Sequence, residues 1–429
     1  MILRNEGINI NVEGITHNLK GSIVTLSSDN LSVHTNSGFS ICFSSGHICR
    51  NCMVPHINIH EIKTESQCNL RTKTSHDYHV NSVLIDPTLM PVYGVKKECP
   101  FSILNYLHPI DSMPQDILYD ILEELMSVNF SVVIKGLVKN KFLTVLSGNK
   151  YISGKAVERW SLFYHIQLYI GKVVPNENEY WMLHLLCRKI CQIILSPVID
   201  IEWIPVPTHL IARHHELLAQ LNPKSFTPKI LFRVHYPRMI AQFGPLRLLW
   251  CLRFEAKHQY FKQIAHRVKN FRNITKTLAE RHQMAKCALL SPANEWIQSS
   301  PVIIGLQQFL PYSIFPTSLC IKIKQMYRIE ISSNQKNIVS VNRLQCNGTL
   351  SRVKTFVVYN VIDEEYVPLF AEIEYILYLH GLWVICCILH YSSAYNPHLD
   401  GYITEKSDEW IVYTPGAINN HIIFAQLHG

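Results

Sequence analysis

The sequence predicts a mixed α/β plus α fold in which strands occupy both ends of the chain and helices fill the middle. Three observations support this prediction. Residues 1–40 alternate as strands do, and residues 155–289 read as helices separated by proline-marked breaks. The last hundred residues return to β-branched and aromatic runs, which indicates a small separate β domain.

Length and composition restrict the class of protein. A chain of 429 residues is too long for one ordinary core and suggests about two to four units. Hydrophobic residues make up 48% and charged residues 17%, which is typical of globular and not of disordered chains. The N-terminal residues lack the apolar core and cleavage site of a secretory signal. We therefore expect an intracellular protein whose 13 cysteines are reduced, some of them as metal ligands.

Three local patterns define the elements of the N-terminal and central parts. Gly21–Leu26 is a short β-branched run that ends in a polar turn, so it predicts a strand with Asp29 just beyond its end. Residues 114–128 predict a helix, because Pro114 suits a first turn and the apolar residues fall on one face. Residues 245–289 form the longest helical candidate.

The C-terminal part contains five runs with strand character: CIKIKQMYRIEI, TFVVYNVI, LFAEIEYILYL, WVICCILHY and WIVYTP. The stretch from Tyr375 to Tyr391 is apolar enough to resemble a membrane span. It is interrupted by His380-Gly381 and is shorter than the roughly 20 residues a span needs. We predict two buried strands joined by a turn at His380-Gly381, and no membrane partner.

Cysteine and histidine are concentrated in residues 41–80, a stretch with little periodicity. A tetrahedral zinc site needs four soft or borderline ligands, often as two close pairs. Such pairs are present in Cys49 and Cys52, spaced C-x2-C, and in His76 and His79, spaced H-x2-H. The histidine spacing is tighter than usual, so Cys42 and Cys68 stay open as substitutes. The pattern predicts structural zinc and no catalytic zinc.

Several carboxylates are candidates for metal-dependent chemistry. Asp29 follows the predicted strand, Asp116 and Asp120 lie four apart on one helix face, and Glu255 opens a basic helix. Taken singly, an aspartate after a strand is usually a turn or cap residue. A glutamate in a basic helix is usually an ion-pair partner.

Positive charge is concentrated in residues 253–286, which we call the basic segment. It holds nine lysines and arginines against Glu255 and Glu280, a balance of +7 in a chain whose total is +8. Its apolar residues recur as a helical stripe that we expect to pack inward. A basic face of this kind is typical of phosphate binding. The predicted DNA-contacting residues are Lys257, Lys262, Arg267, Lys269, Arg272 and Lys276.

With these residues in view, the chain resembles transposases of the CACTA superfamily and related transposon-derived proteins of animals. The run GSIVTLSSDNLSVHTNSGF resembles the strand that carries the second catalytic aspartate. ICRNCMVPH and LRTKTSHDYHV resemble the zinc-binding insertion, and MPQDILYDILEEL resembles the D-x-x-H segment. The segment from HYPRMIAQFGPLRLLW to the end of the basic helix resembles the one that opens the last catalytic helix.

The resemblance implies a partial RNase H-like core with a zinc-binding insertion and a long helical insertion. It also implies a DDE-type site in which two divalent ions, usually magnesium, activate water and then a DNA 3′ hydroxyl. Asp29 would be the second acid, Asp116 would head the D-x-x-H segment and Glu255 would be the third acid. The family also implies a nuclear location, DNA as the partner and a homo-oligomer.

The chain departs from the family pattern at several positions. The first catalytic aspartate and its strand are expected before Asp29, where the only acids are Glu6 and Glu13. Tyr119 replaces the signature histidine, and Lys229, Ile230 and Leu231 replace Lys-His-His. The prediction is therefore an N-terminally truncated, catalytically inactive derivative, with magnesium bound only if the catalytic site is intact.

The predicted division has five segments. They are partial RNase H-like strands at 1–40, the Cys/His insertion and linker at 41–112, the helical insertion at 113–245, the terminal basic helix at 246–300 and the β domain at 301–429. Two alternative functions stay open. One is an active nuclease or transposase that takes its first acid from Glu13 or from a partner chain. The other is a zinc-stabilised interaction protein with no nucleic-acid role.

Overall fold

The computed structural model describes residues 5–12, 14–104, 106–117, 120–121, 156–269, 271–290, 301–331, 338–346, 349–362 and 367–415. The chain divides into two units by its internal contacts. The first unit comprises residues 1–166 and 173–263, and the second comprises residues 167–172 and 264–429. The five-segment division made from the sequence stays a prediction beside this one.

Helices dominate the first unit and strands the second. The helices are α1 Asn30–Asn36, α2 Lys73–Ile85, α3 Met90–Tyr93, α4 Pro109–Ser112, α5 Ala156–Ile170, α6 Glu179–Ile194, α7 Pro205–Leu221, α8 Pro228–Phe232, α9 Tyr236–Phe243, α10 Leu252–Val268, α11 Ile274–Leu290 and α12 Thr317–Tyr327. The strands are β1 Ile8–Val12, β2 Ile15–Leu19, β3 Val302–Ile303, β4 Gln307–Leu310, β5 Ile338–Val341, β6 Arg343–Cys346, β7 Thr349–Arg352, β8 Phe356–Ile362, β9 Val367–Leu379, β10 Leu382–Asn396 and β11 Gly401–Tyr413.

The N-terminal strands form one antiparallel hairpin, in which Ile8 of β1 faces Leu19 of β2. The predicted strand Gly21–Leu26 is wrong, because residues 20–29 are neither helix nor strand. The backbone N–H of Leu26 donates to the carbonyl of Ser112 at 2.9 Å instead of joining a ladder. A β-branched run without a neighbouring strand therefore stays irregular.

The core of the first unit lies around α6 and α7. Asn178 caps α6 by accepting a hydrogen bond from the backbone N–H of Trp181 at 3.0 Å, and Glu179 places negative charge in the first turn. Trp181 is fully buried, and Leu183 of α6 packs in one cluster with Cys52 of the cysteine-rich loop and Met239 of α9. The mostly helical character predicted for residues 155–245 is confirmed.

Two further helix predictions are not confirmed. Most of the predicted helix at 114–128 lies outside the described residues. The single helix predicted at 245–289 is wrong, because α10 and α11 are separate. Lys269 ends α10 with a left-handed φ of 54°, and its N–H donates to the carbonyl of Ala265 at 3.0 Å. This αL cap stops the helix where apolar periodicity alone predicts continuation.

The second unit is built on an antiparallel sheet with the order β11-β10-β9-β5-β4, and β8 also pairs with β9. A second sheet has the order β3-β6-β7. The prediction of two strands within 375–391 is confirmed, because Leu379 of β9 faces Leu382 of β10 across a two-residue turn. His380 and Gly381 have φ of 46° and 86°, the positive values that a type I′ hairpin turn needs.

One strand of the predicted β domain is wrong. The run CIKIKQMYRIEI begins inside α12, and its described remainder at 328–331 forms no strand. Leu319 and Ile323 lie four apart, are fully buried and pack in one cluster with Leu377 of β9. A short alternating run also fits one face of a helix, and packing against the sheet decides between the two.

The observed architecture is mixed, with helices and antiparallel sheets, and this agrees with the α/β plus α class in general terms. Within the described ranges, none of the helices combines the length and the apolar character needed to cross a membrane.

Candidate functional site

Two cysteines and one histidine meet in the core of the first unit. The ligand atoms of Cys49, Cys52 and His235 all lie within 4.8 Å of one another, and all three side chains are buried. The Cys49 Sγ lies 3.4 Å from Nε2 of His235. Among the residues that the structure describes, this is the one group of three or more such side chains with the geometry to hold a metal ion.

The cysteine pair is presented by a tight loop. The backbone N–H of Asn51 points at the Cys49 Sγ at 3.3 Å, as expected of a turn that wraps a metal-binding sulfur. The loop is fixed against residues 69–71, because Met53 N–H donates to Asn69 and Arg71 N–H donates to Asn51, both at 2.8 Å. The two sulfurs are therefore held in place by backbone hydrogen bonds.

His235 is oriented by a carboxylate on its other ring nitrogen. Glu65 Oε1 lies 2.6 Å from Nδ1 of His235, and Arg238 Nε donates to the same oxygen at 2.8 Å. In the tautomer with the proton on Nδ1, His235 donates to Glu65 and the lone pair of Nε2 faces Cys49. A carboxylate that fixes the tautomer of a ligand histidine is a common feature of zinc sites.

A third sulfur lies beside the pair. Cys68 is hydrogen-bonded to Cys52 and is partly buried. It directly follows the short 3-10 helix Glu65–Gln67, whose capping box with Thr64 fixes the local backbone. Cys68 lies outside the group of three whose ligand atoms are all within 4.8 Å of one another, and adding it would complete a Cys3His set, a composition found in structural zinc sites.

The protonation of the thiols depends on their burial. Burial raises the pKa of the Cys49 thiol well above its usual range. For Cys52, the hydrogen bond with Cys49 lowers the pKa, but the hydrogen bond with Cys68 and burial raise it to about 12. Two buried thiols are therefore neutral at physiological pH unless a bound cation displaces their protons.

The structure gives the cysteine pair a different histidine from the predicted ones. His76 packs against Phe39, with ring centroids 4.9 Å apart, and against His108. His79 stacks on Tyr93 at 4.3 Å and faces Arg71. Both lie on α2, where His76 contacts His108 and His79 contacts Tyr93, and neither belongs to the metal-binding group.

His235 was not among the predicted ligands because it follows Cys49 by 186 residues. Spacing rules for zinc ligands examine only short intervals. The one available signal was the sequence His235-Tyr236-Pro237, which marked the start of the segment resembling the transposase family.

Asp29 acts as a helix cap. Its two carboxylate oxygens accept hydrogen bonds from the backbone N–H of Ser32 at 2.9 Å and from the Ser32 hydroxyl at 2.6 Å. This is the ordinary role of an aspartate before a helix. Among the described side chains, Asp29 belongs to no group of three or more acidic, histidine or cysteine residues with metal-binding geometry.

Asp116 and Asp120 are both buried, at 2% and 0% exposure. Asp116 accepts hydrogen bonds from the backbone N–H of Cys251 at 3.2 Å and from its thiol at 2.9 Å. Asp120 accepts from Asn30 Nδ2 at 2.6 Å and from the Tyr236 hydroxyl at 3.0 Å. The pair therefore connects α1, the start of α9 and the start of α10 as part of the core.

Glu255 lies within α10, but its side chain is outside the described residues. Its chain position is one helical turn after Cys251, the partner of Asp116. Asp29, likewise, precedes Asn30, the partner of Asp120. Glu13 and Tyr119 also lie outside the described residues.

Burial and repulsion by Asp116 raise the pKa of Asp120 to about 7, although Tyr236, Arg50 and Lys229 lower it. The unfolded chain has a pKa near 4 for this group. Between about pH 4 and 7 the folded state retains a proton that the unfolded state has lost, so this group makes the protein less stable as pH rises through that window.

We expect Asp120→Asn to remove this dependence. The measurement is the difference in unfolding free energy between wild type and variant, taken from urea titrations at pH 5 and pH 8. Relative to wild type, the variant should be more stable at pH 8 than at pH 5. For the exposed control Asp408→Asn, the stability relative to wild type should be the same at both pH values. An equal difference at both pH values would show that Asp120 does not change protonation in this range.

The basic segment is accessible to solvent. Of the predicted DNA-contacting residues, Lys262, Arg267, Lys269, Arg272 and Lys276 are exposed and Lys257 is half-buried. Lys276 lies 3.6 Å from Glu280, an exposed pair one helical turn apart. The expectation that the apolar stripe packs inward is wrong for two of its members, since Phe254 is 46% and Phe271 is 65% exposed.

Lys257 makes a further contact within α10. Its ammonium lies 4.4 Å from the ring centroid of Tyr260 and 5.7 Å from that of Phe261. The segment thus presents cations and aromatic rings together.

No protein-family model matches this chain, and comparison with curated proteins finds no relative.

Proposed function

We propose that this chain is a transposase-derived nuclear protein that binds DNA through the basic segment and does not cut it. The observation that carries the proposal is the exposure of that segment, where nearly all of the chain's net positive charge is concentrated. Lysines and arginines that follow one another along exposed helices attract a polyphosphate and release its counterions. An RNase H-like core belongs to this proposal and is supported by the sequence resemblance.

The proposed absence of cleavage is supported by the carboxylates. Both oxygens of Asp29 accept hydrogen bonds from Ser32, and both oxygens of Asp116 accept hydrogen bonds from Cys251. A two-metal reaction needs carboxylate oxygens that converge on the ions. These two side chains are instead engaged in capping a helix and in fixing the start of α10.

The proposed structural zinc is supported by four potential ligand side chains. Cys49, Cys52, Cys68 and His235 supply four ligands, which leaves no open position for a substrate. When bound, the ion supplies a fixed crosslink between ligands that are far apart in sequence. Glu65, which also accepts from Arg238, favours the ligating tautomer of His235, and burial excludes water from the sulfurs of Cys49 and Cys52.

DNA binding is tested by neutralising the basic segment. A variant with Lys257, Lys262, Arg267, Lys269, Arg272 and Lys276 changed to Gln should bind a labelled oligonucleotide at least about a hundredfold more weakly at low salt, because each lost cation removes a phosphate contact. Fluorescence anisotropy gives the affinity. A matched control changes six lysines outside the segment, namely Lys96, Lys97, Lys172, Lys224, Lys322 and Lys324.

The control should bind nearly as tightly as wild type. Equal loss in both variants would mean that only net charge matters, and no loss in either would place DNA binding elsewhere or remove it. Metal-dependent cleavage of DNA in magnesium or manganese that is abolished by Asp29→Asn or Glu255→Gln would overturn the proposed lack of catalysis.

A further inference from the structure

We propose that the break between α10 and α11 binds unpaired nucleobases by stacking on Phe271, so that single-stranded DNA is preferred over duplex. This inference rests on the proposed function and names the form of nucleic acid that the same segment recognises. The residues that carry it, Arg267, Lys269, Phe271, Arg272 and Asn273, belong to the second unit.

Phe271 is 65% exposed and lies between two helices, outside the buried clusters of the second unit. Because most of the ring stays in contact with water, Phe271 contributes little to the stability of the hydrophobic core. An exposed aromatic face in a strongly cationic segment is the arrangement with which proteins stack single-stranded bases, since every base offers a π-face. The lysines and arginines around this apolar ring favour a negatively charged partner.

The break that presents Phe271 is defined by caps at both ends. Lys269 closes α10 in the left-handed conformation, with φ of 54°. Asn273 opens α11, because Thr277 N–H donates to its carbonyl at 3.1 Å and the Thr275 hydroxyl lies 3.5 Å from its Oδ1. Phe271 therefore lies between two residues, Lys269 and Asn273, that mark the end of one helix and the start of the next.

Cations flank the ring in the chain on both sides. Lys269 and Arg272 are exposed within two residues of Phe271, and Arg267 is exposed on the preceding turn of α10. Consecutive phosphates of a single strand, with the bases turned away from them, require cations next to an aromatic platform. The loop provides this combination.

The ring discriminates between single strands and duplex. In a duplex the base faces are already stacked on their neighbours, and a side chain reaches them only by unstacking a step, which costs free energy. Unpaired bases need no such step. The cations attract both forms, so the preference for single strands depends on Phe271.

The test uses the full chain and fluorescein-labelled oligo-dT of about 20 nucleotides, a length that exceeds the site of one small binding module. A duplex of the same length is measured in parallel at the same salt concentration. We expect Phe271→Leu to bind the single strand about tenfold more weakly, as loss of one stacked base predicts, with duplex affinity unchanged. Phe271→Trp should retain or improve single-strand affinity.

A matched control is Phe309→Leu, since Phe309 is 61% exposed in the same unit and lies on β4 outside the basic segment. This control should bind both forms as wild type does. Far-UV circular dichroism should be the same for all variants, because neither ring is buried.

Different binding results would overturn the stacking role of Phe271 and the proposed DNA binding of the basic segment. Wild-type binding to neither form would overturn both. Equal affinity for both forms, with no effect of Phe271→Leu, would overturn the stacking role and leave phosphate binding intact. Phe271-dependent binding to anionic lipid vesicles, without any Phe271 effect on oligonucleotides, would identify a membrane surface as the partner and also overturn the inference.

Discussion

Removal of zinc is expected to unfold the first unit. The proposed ligands connect a loop at residues 49–68 with His235, which follows Cys49 by 186 residues, so the ion crosslinks distant parts of one core. Structural zinc contributes apparent free energies of about 10–16 kcal/mol in small domains. That magnitude is comparable with the whole stability of a typical domain, about 5–15 kcal/mol.

The measurement is metal content by mass spectrometry together with thermal unfolding before and after a strong chelator. We expect purified wild type to hold zinc, and we expect chelation to abolish the cooperative transition of the first unit. Cys49→Ser and His235→Gln should reproduce the effect without chelator. Cys42→Ser, at an exposed thiol, and His79→Gln, at a histidine outside the group, should retain zinc and stability.

Cys68→Ser decides the fourth ligand. A variant that loses most of its zinc affinity would support the Cys3His set, because a three-ligand site leaves an open position. A variant that binds zinc as tightly as wild type would exclude Cys68 and leave the fourth position to another donor. Full stability after complete removal of metal would contradict the structural role of the ion.

Loss of Arg50 is expected to have the second largest effect. Arg50 is 1% exposed and donates hydrogen bonds to the carbonyls of Met113 and Pro114 and to Oδ1 of Asn30. Burial lowers its pKa to about 10, so the side chain is still charged at neutral pH. In Arg50→Met, the new side chain is of similar length but has no hydrogen-bond donor. The three buried acceptors therefore lose the guanidinium as their partner.

Breaking a buried charged network in this way costs about 3–5 kcal/mol. Hydrogen exchange of the Met53 and Arg71 amides reports this loss directly, because both are bonded within the first unit. Their exchange should accelerate by at least about a hundredfold if opening follows stability. The exposed control Arg247→Met should change exchange little, and equal rates in both variants would show that the Arg50 contacts do not stabilise the loop.

Local patterns predicted the parts of this protein that depend on neighbouring residues. The turn at His380-Gly381 was evident because a two-residue hairpin needs positive φ, which glycine tolerates. The pairing of Cys49 with Cys52 was likewise evident from their spacing. Both features are determined within a few residues of chain.

Features that depend on distant packing were not predicted. The histidine beside Cys49 is His235, and no short-range rule connects residues so far apart. The alternating pattern at α12 predicts a strand, and only the packing of Leu319 and Ile323 against the sheet shows that it is a helix. The resemblance predicts a catalytic role for Asp29, whereas its local sequence, with Ser32 three residues later, suits a helix cap.

The central claim is that the basic segment binds DNA through phosphate contacts, and the salt dependence of binding tests it most directly. With six contacting cations, the slope of log K against log salt should be about −4 for a single strand and about −5 for duplex. The variant with all six changed to Gln should give a slope near zero. A wild-type slope near zero, or a steep slope that the six substitutions leave unchanged, would contradict the account.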